Sequence, residues 1–358
     1  MTPPARGYVR LCSSALVPLV LLALLWTHGE QRMGAHLQAA RRHAGVLPAI
    51  PLELPDGVHP ALVKLKPKSP PPKPAPRVVW PAIPQEALSS VRGRSVFSGL
   101  GAWVDVYDYP VLPLGRTIAT LKAAGVQTLY IETGMSGTKR AVVSTSVPWL
   151  VAAHNAGLKV VAWYLPDYVN PARDAARTIL IARFTYAGIK FDGVGVDIEY
   201  KGALPNNHKW NSNVVRHMNS VRKALGPDYP LAAIPPPPLQ MRLAPATWAG
   251  FPWRQLAKVS SEFMLMSYWS YRNGCPKDRF QCAYEFTKFN VLVTRALTGG
   301  RVPIHVIGGV GDRITSYQLS GFIKAAKDAH ADGASIYDVG TTQPGWWRSL
   351  SYLDSLGR

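Results

Sequence analysis

The stretch FDGVGVDIEY, Phe191 to Tyr200, sets two acids two residues apart at the end of a short apolar run. Side chains alternate along a strand, so Gly195, Asp197 and Glu199 share one face while Val194, Val196 and Ile198 take the other. One face is built for packing and the other carries carboxylates. At about 3.3 Å per residue the two carboxyl groups lie roughly 6 to 7 Å apart, close enough for each to oppose the other's ionisation. Burial acts in the same direction, so one of the pair is expected to hold a proton near neutral pH, as a general acid must. Glu199, nearer the strand's end, is the candidate donor to a leaving-group oxygen. Asp197, deeper, would orient Glu199 or a substrate group. The alternative is a pair of buried acids satisfied by hydrogen bonds or by a basic residue.

Elements able to position such a pair follow Ser95. Eight short apolar runs (VFSGLGAWVDV, VQTLYIET, LKVVAWYL, FDGVGVDIEY, YPLAAIP, EFMLMSYWS, VPIHVIGGV and GASIYDVG) alternate with helix-period segments such as VPWLVAAHNAG, PARDAARTILIARFTYAG and SYQLSGFIKAAKDAHADG. Several helical segments end in glycine, the common C-terminal stop. Eight strands and about eight helices over 95–358 predict an α/β fold of the (β/α)8 TIM-barrel type. A doubly wound open sheet would carry a Gly-rich phosphate turn after its first strand, and none is present. Barrel chemistry belongs at the C-terminal ends of the strands. Those ends offer Asp105 and Asp108, Glu132, Tyr164 and Asp167, Asp197 and Glu199, Tyr268 and Trp269, and Asp338. Ordinary glycoside hydrolysis needs a second carboxylate, at about 5 Å from the first for retention and further for inversion. Glu132, in YIETG, is the first choice for that role, with a capping or salt-bridged acid as the alternative. Tyr268, Trp269, Tyr164, Asp105 and Asp338 are the substrate-binding candidates.

FDGVGVDIE resembles the strand-4 signature of the chitinase-type glycoside hydrolases (family 18), an apolar residue followed by D-G-x-D-x-D-x-E. Phe191, Asp192, Gly193, Asp197 and Glu199 match in place, and Gly195 stands where the family has an aspartate. EFMLMSYWS is similar to the family's strand-6 M-x-Y-D, with Met266 and Tyr268 matching and Trp269 in place of the aspartate. The resemblance implies a barrel glycosidase in which Glu199 is the acid. It further implies that Asp197 positions a substrate acetamido group and that Tyr268 supports it. The two departures are what a non-catalytic carbohydrate-binding barrel would show, and that is the alternative reading.

The first 30 residues place Arg6 and Arg10 before the uncharged run Leu11–Trp26, the layout of an export signal or signal anchor. Residues 31–94 turn rich in proline and lysine, as in KPKSPPPKPAPRVVWPAIP, and predict an extended spacer. An exported, membrane-anchored or secreted protein is expected, with a polysaccharide or glycan as substrate and a monomeric barrel. In an oxidising compartment Cys275 and Cys282, in NGCPKDRFQC, are expected to form a local disulfide. Net charge is +19, from 40 basic and 21 acidic residues, which favours polyanionic neighbours without specifying a fold. No nucleic-acid module and no H-x-H or H-E-x-x-H metal motif is present, so no nucleic acid, cofactor or metal is predicted. His305, within a strand, reads as a satisfied core histidine. VIGGVGD after strand 7 admits a phosphate-handling rival, although no Lys or Arg sits at the strand ends to complete such a site. A further rival makes residues 1–94 a scaffold for a partner.

Overall fold

The apolar runs form eight parallel strands: β1 Gly99–Val104, β2 Thr128–Met135, β3 Lys159–Leu165, β4 Gly193–Asp197, β5 Leu231–Ile234, β6 Glu262–Met266, β7 Ile304–Val310 and β8 Gly333–Tyr337. They close in the order β1-β8-β7-β6-β5-β4-β3-β2, each strand beside its neighbour in sequence and β8 beside β1. The computed structural model describes residues 95 to 357 except 203, 272–279 and 301. The predicted signal segment 1–30, the spacer 31–94 and Cys275 lie outside the described residues. Cys282 falls in the first turn of a long helix. Among the described residues no helix is long and apolar enough to cross a membrane.

Helices cover the outside of the ring. α1 Leu114–Ala123, α2 Val147–Asn155, α3 Pro171–Ala182 and α4 Asn207–Leu225 follow the first four strands. Three short helices follow β5, namely α5 Pro238–Leu243, α6 Pro245–Trp248 and α7 Trp253–Ala257. α8 Phe280–Thr298, α9 Ser316–Asp328 and α10 Trp347–Leu350 complete the set. Local signals start and stop them. Asn170 caps α3 through the Arg173 N–H at 3.0 Å, and Asn206 caps α4 through Lys209 at 2.9 Å. Thr315 and Gln318 make a reciprocal capping box at the start of α9. The segment after α3 departs from the expected helix through Gly188: it becomes a small hairpin pairing Thr185–Tyr186 with Ile189–Lys190. Ala187 and Gly188 both take positive φ (49° and 80°), the backbone that a tight two-residue hairpin turn requires.

Strand alternation sorts the core into two layers. Val194, Val196 and Ile198 of the β4 segment, with Leu129 and Ile131 of β2, pack outward against the helices. Phe97, Trp103, Tyr130, Val161, Trp163, Ile234, Met264, Met266 and Ile307 fill the barrel itself. Inside, Trp103 stacks on Tyr130 with ring centroids 4.4 Å apart, and its indole N–H donates to the Ser335 hydroxyl at 2.7 Å. His305 is tied to the Phe97 carbonyl at 2.9 Å and to Ser335 at 2.8 Å. Burial lowers its pKa to about 4, so it is a neutral core group, as the sequence reading expected.

The glycines of VIGGVGD serve packing. A Cβ on Gly311 would fall 2.7 Å from the Thr341 carbonyl carbon and 2.8 Å from Thr342 Cα. Gly309 meets Ser270 and Ile314 in the same way. The run lets the β7 and β8 loops touch backbone to backbone. Gly311→Ala should therefore overpack this junction and lower stability by about 1 to 3 kcal/mol. Thermal denaturation checks this, and an unchanged midpoint would show that the junction has slack.

Candidate active site at the barrel mouth

Each inward residue at the C-terminal end stands two positions beyond a strand residue on the interior face. Asp105 follows Trp103, Glu132 follows Tyr130, Asp197 follows Gly195, Tyr268 follows Met266 and Tyr337 follows Ser335. The acids thus rest on a packed aromatic and aliphatic floor.

Asp197 is 7% exposed and its Oδ1 is buried without a hydrogen-bond partner. Desolvation holds its pKa well above the usual carboxylate range, and the charges of Glu199 and Glu132 push it further the same way. Glu132 is 3% exposed. Burial raises its pKa to about 8; the Val106 N–H donated to Oε2 at 3.1 Å opposes that rise, and Asp105, Asp108 and Glu199 add to it. Glu199 is exposed at the mouth. Glu132 therefore holds its proton at neutral pH, Asp197 is shifted in the same direction, and the charges that act on both are carboxylates.

The backbone carrying Glu199 is fastened on both sides. Ile198 is buried in the outer core and its N–H donates to the Ile234 carbonyl at 2.9 Å. Trp210 Nε1 donates to the Tyr200 carbonyl at 3.0 Å. Lys201 is buried, with its ammonium 4.7 Å from the Trp210 ring centroid and 5.4 Å from that of Trp248, donating to Asn207 Oδ1 and to the Thr247 carbonyl. Desolvation lowers its pKa to about 8. Tyr168 is fully buried and donates its hydroxyl to the Asp197 carbonyl at 3.2 Å.

Asp105 and Asp338 sit at the mouth with Asp108. Carboxylate oxygens of these three buried acids lie within 4.8 Å of one another. Asp105 Oδ1 accepts from the Tyr107 and Asp108 N–H groups at 2.8 and 3.1 Å, and Oδ2 accepts from the Tyr337 hydroxyl at 3.1 Å. Asp338 Oδ1 accepts from the Thr341 N–H at 2.8 Å. These bonds fold the β1 and β8 loops, and the charges of Asp105 and Asp108 add to the burial that lifts Glu132. Tyr268 is half-buried, with its ring 6.0 Å from that of Tyr337. Tyr337 was missed in the sequence, although alternation along GASIY puts it on the same face as Ser335.

Two expected binding residues point the other way. Tyr164 belongs to the outer layer and donates its hydroxyl to the buried Asp174 of α3 at 3.1 Å. Trp269 is fully buried in the same layer, its ring 5.2 Å from Phe322 of α9. Neither is part of a cleft wall. Period-two alternation gives the reason: Trp163 and Tyr268 face inward, so Tyr164 and Trp269 must face out. Trp346 and Trp347 are also buried in the outer core. Asp167 pairs with Arg173 at 2.6 Å, away from the acid group.

The two departures from the chitinase pattern now have physical causes. A Cβ at Gly195 would stand 2.7 Å from Ile234 Cδ1, so Ile234 occupies the room an aspartate would need. The other position is filled by an outward tryptophan. Asp192 lies at the opposite end of β4, where its carboxylate accepts from the Val160 N–H at 2.8 Å and meets His154 at 3.3 Å.

No protein-family model matches the sequence, and no curated protein does. Solved structures do match in fold. A GH18 chitinase from Pseudoalteromonas aurantia superposes with a TM-score of 0.51 at 14% identity, covering 70% of this chain and 98% of the chitinase. A plant class V chitinase mutant from Cycas revoluta, in complex with (GlcNAc)3, gives 0.52 at 11% identity, over 71% of this chain and 99% of its own. A beta-galactosidase from the psychrophilic Marinomonas ef1 gives 0.51 at 10% identity over 71% of this chain, and only 58% of that enzyme is spanned. The likeness is one of fold, the closed eight-stranded parallel barrel.

The raised pKa of Glu132 fixes the sign of a pH effect. The native state keeps this proton up to about pH 8, whereas the unperturbed value is 4.5. Between those values the native state binds more protons than the unfolded chain, so the stabilisation is full at low pH and is lost as pH rises through 8. Thermal midpoints should therefore fall with pH across that window, and Glu132→Gln should flatten part of the slope. An unaltered slope would place the proton elsewhere.

Proposed function

We propose that the chain is a glycoside hydrolase acting on an extracellular or cell-surface polysaccharide, with Glu199 delivering the proton to the glycosidic oxygen. The observation that carries this reading is the group formed by Asp197, Glu132 and Glu199. Two of its members are desolvated with raised pKa, the third is open to solvent, and one buried oxygen of Asp197 lacks a partner. Glycosidic cleavage needs a carboxylic acid that is still protonated at working pH. Each carboxyl group opposes ionisation of the others, so the group as a whole retains protons, and Asp197 would orient Glu199 or a polar substituent of the sugar. With its pKa near 8, Glu132 acts at neutral pH as a proton-holding partner. As a base or nucleophile it would serve only above that value, which revises the second-carboxylate role first expected of it. Tyr268 and Tyr337 would form the ring-facing wall, with Asp105 and Asp338 holding their loops. The export or anchoring role of residues 1–30, the spacer role of 31–94, the Cys275–Cys282 bridge and a monomeric state belong to the same proposal, on their sequence patterns.

A specific observation favours a second reading, a non-catalytic carbohydrate-binding barrel. The acid positions at 195 and 269 are filled by Ile234's side chain and by an outward indole. Chitin oligomers and wall glycans separate the two. For the enzyme, Glu199→Gln and Asp197→Asn should each reduce turnover about 10²- to 10⁴-fold with binding retained. Absence of turnover by the wild type, with binding unchanged in Glu199→Gln, would establish the binder instead.

A further inference from the structure

A run of rings and ammonium groups lies along the outer flank of the barrel, on α8, α9 and the segment after α10. Tyr317 (57% exposed) packs 5.6 Å from Phe280, and Phe280 stacks at 5.9 Å on Tyr284, one helical turn on. Lys288 and Lys324 both lie over the Tyr284 ring, at 5.3 and 5.5 Å from its centroid. Lys327 lies 5.7 Å from the centroid of Tyr352, which is 66% exposed. A shallow hollow of about 330 Å³ opens among Lys324, Lys327 and Tyr352.

The charge along this run is compensated only in part: three lysines face one carboxylate at the hollow. Asp328 is the acid lining the hollow, and its Oδ2 is already taken by Lys324 at 2.6 Å and by the Tyr284 hydroxyl at 2.7 Å. Among the described residues neither Lys288 nor Lys327 pairs with a carboxylate; the first donates to the Tyr284 hydroxyl at 3.1 Å. α9 is 13 residues long, so the run extends about 20 Å, the scale of a short oligosaccharide. Exposed tyrosine faces suit the C–H faces of sugar rings. The lysines beside these rings offer partners for negative groups on the sugar.

We propose that this flank is a second carbohydrate site, separate from the mouth, which binds a polysaccharide bearing carboxylate or phosphate groups. This rests on the glycosidase reading and narrows it: the substrate, or the matrix that holds it, is anionic. Charge complementarity selects the class, since the patch carries excess cations in a chain of net charge +19. A neutral glycan would leave the lysines unused.

The test uses the full chain and surface variants that touch no mouth residue. Binding is measured to a polygalacturonate oligomer, a ribitol-phosphate polymer, a neutral chitin oligomer, single-stranded oligo(dT) and anionic phospholipid vesicles. Lys327→Glu combined with Tyr352→Ala should weaken binding of at least one anionic glycan tenfold or more. Added salt should weaken it as well, while chitin-oligomer binding and turnover stay unchanged. Lys327→Gln alone should give an intermediate loss. Equal binding by wild type and double variant, or tighter binding of oligo(dT) or vesicles than of either anionic glycan, overturns the proposal. The two readings fail separately. Capture of the anionic glycan with no turnover of any glycan sinks the enzyme and keeps the flank site. Turnover without capture does the reverse.

Discussion

Closure of eight parallel strands leaves each strand residue one of two environments, the barrel interior or the layer beneath the helices. Once Trp103, Tyr130, Trp163 and Met266 are committed to the interior, the residues two steps beyond them have nowhere to go but the mouth. Asp105, Glu132 and Tyr268 arrive there for that reason, and β4 sends Asp197 by the same rule. The site is thus a by-product of how the core is packed. Its acids stand on an aromatic floor that denies them water from below.

That floor sets the electrostatics. A carboxylate deprived of water rises in pKa, and a neighbouring carboxylate raises it further. Asp197 and Glu132 experience both effects, and a single backbone N–H on Glu132 opposes them only in part. The chain is strongly basic as a whole, yet the charges acting on these two groups are acidic. Basic residues lie elsewhere: Lys201 is folded against two indoles behind Glu199, and Lys288, Lys324 and Lys327 lie on the flank. Keeping cations out of the mouth preserves the protons there.

The strand-4 face was legible because its two faces differ sharply in polarity. Valines and isoleucine alternate with glycine and acids, and the structure keeps that division. Tyr164 and Trp269 were misplaced because aromatics suit either face, so their polarity carried no signal; only their position relative to Trp163 and Tyr268 did. Tyr337 and Asp174 were missed for different reasons. Tyr337 follows Ser335 in period two, but its neighbour Asp338 was taken as the chemistry-bearing residue of that strand end. Asp174 reads as an ordinary first-turn helix acid, and its burial against Tyr164 and Tyr168 comes from the packing of α3 on β3.

Local pattern was sufficient for the number of strands, their alternation with helices, and the side of the barrel to which Asp197 and Glu199 belong, because each depends on spacing within one short segment. Whether Glu132 would share their surroundings, whether Ile234 would occupy the room beside Gly195, and where the lysines would gather depended on distant segments brought together by closure. Desolvation and Coulomb energies are set by distances through space. A linear sequence holds only distances along the chain.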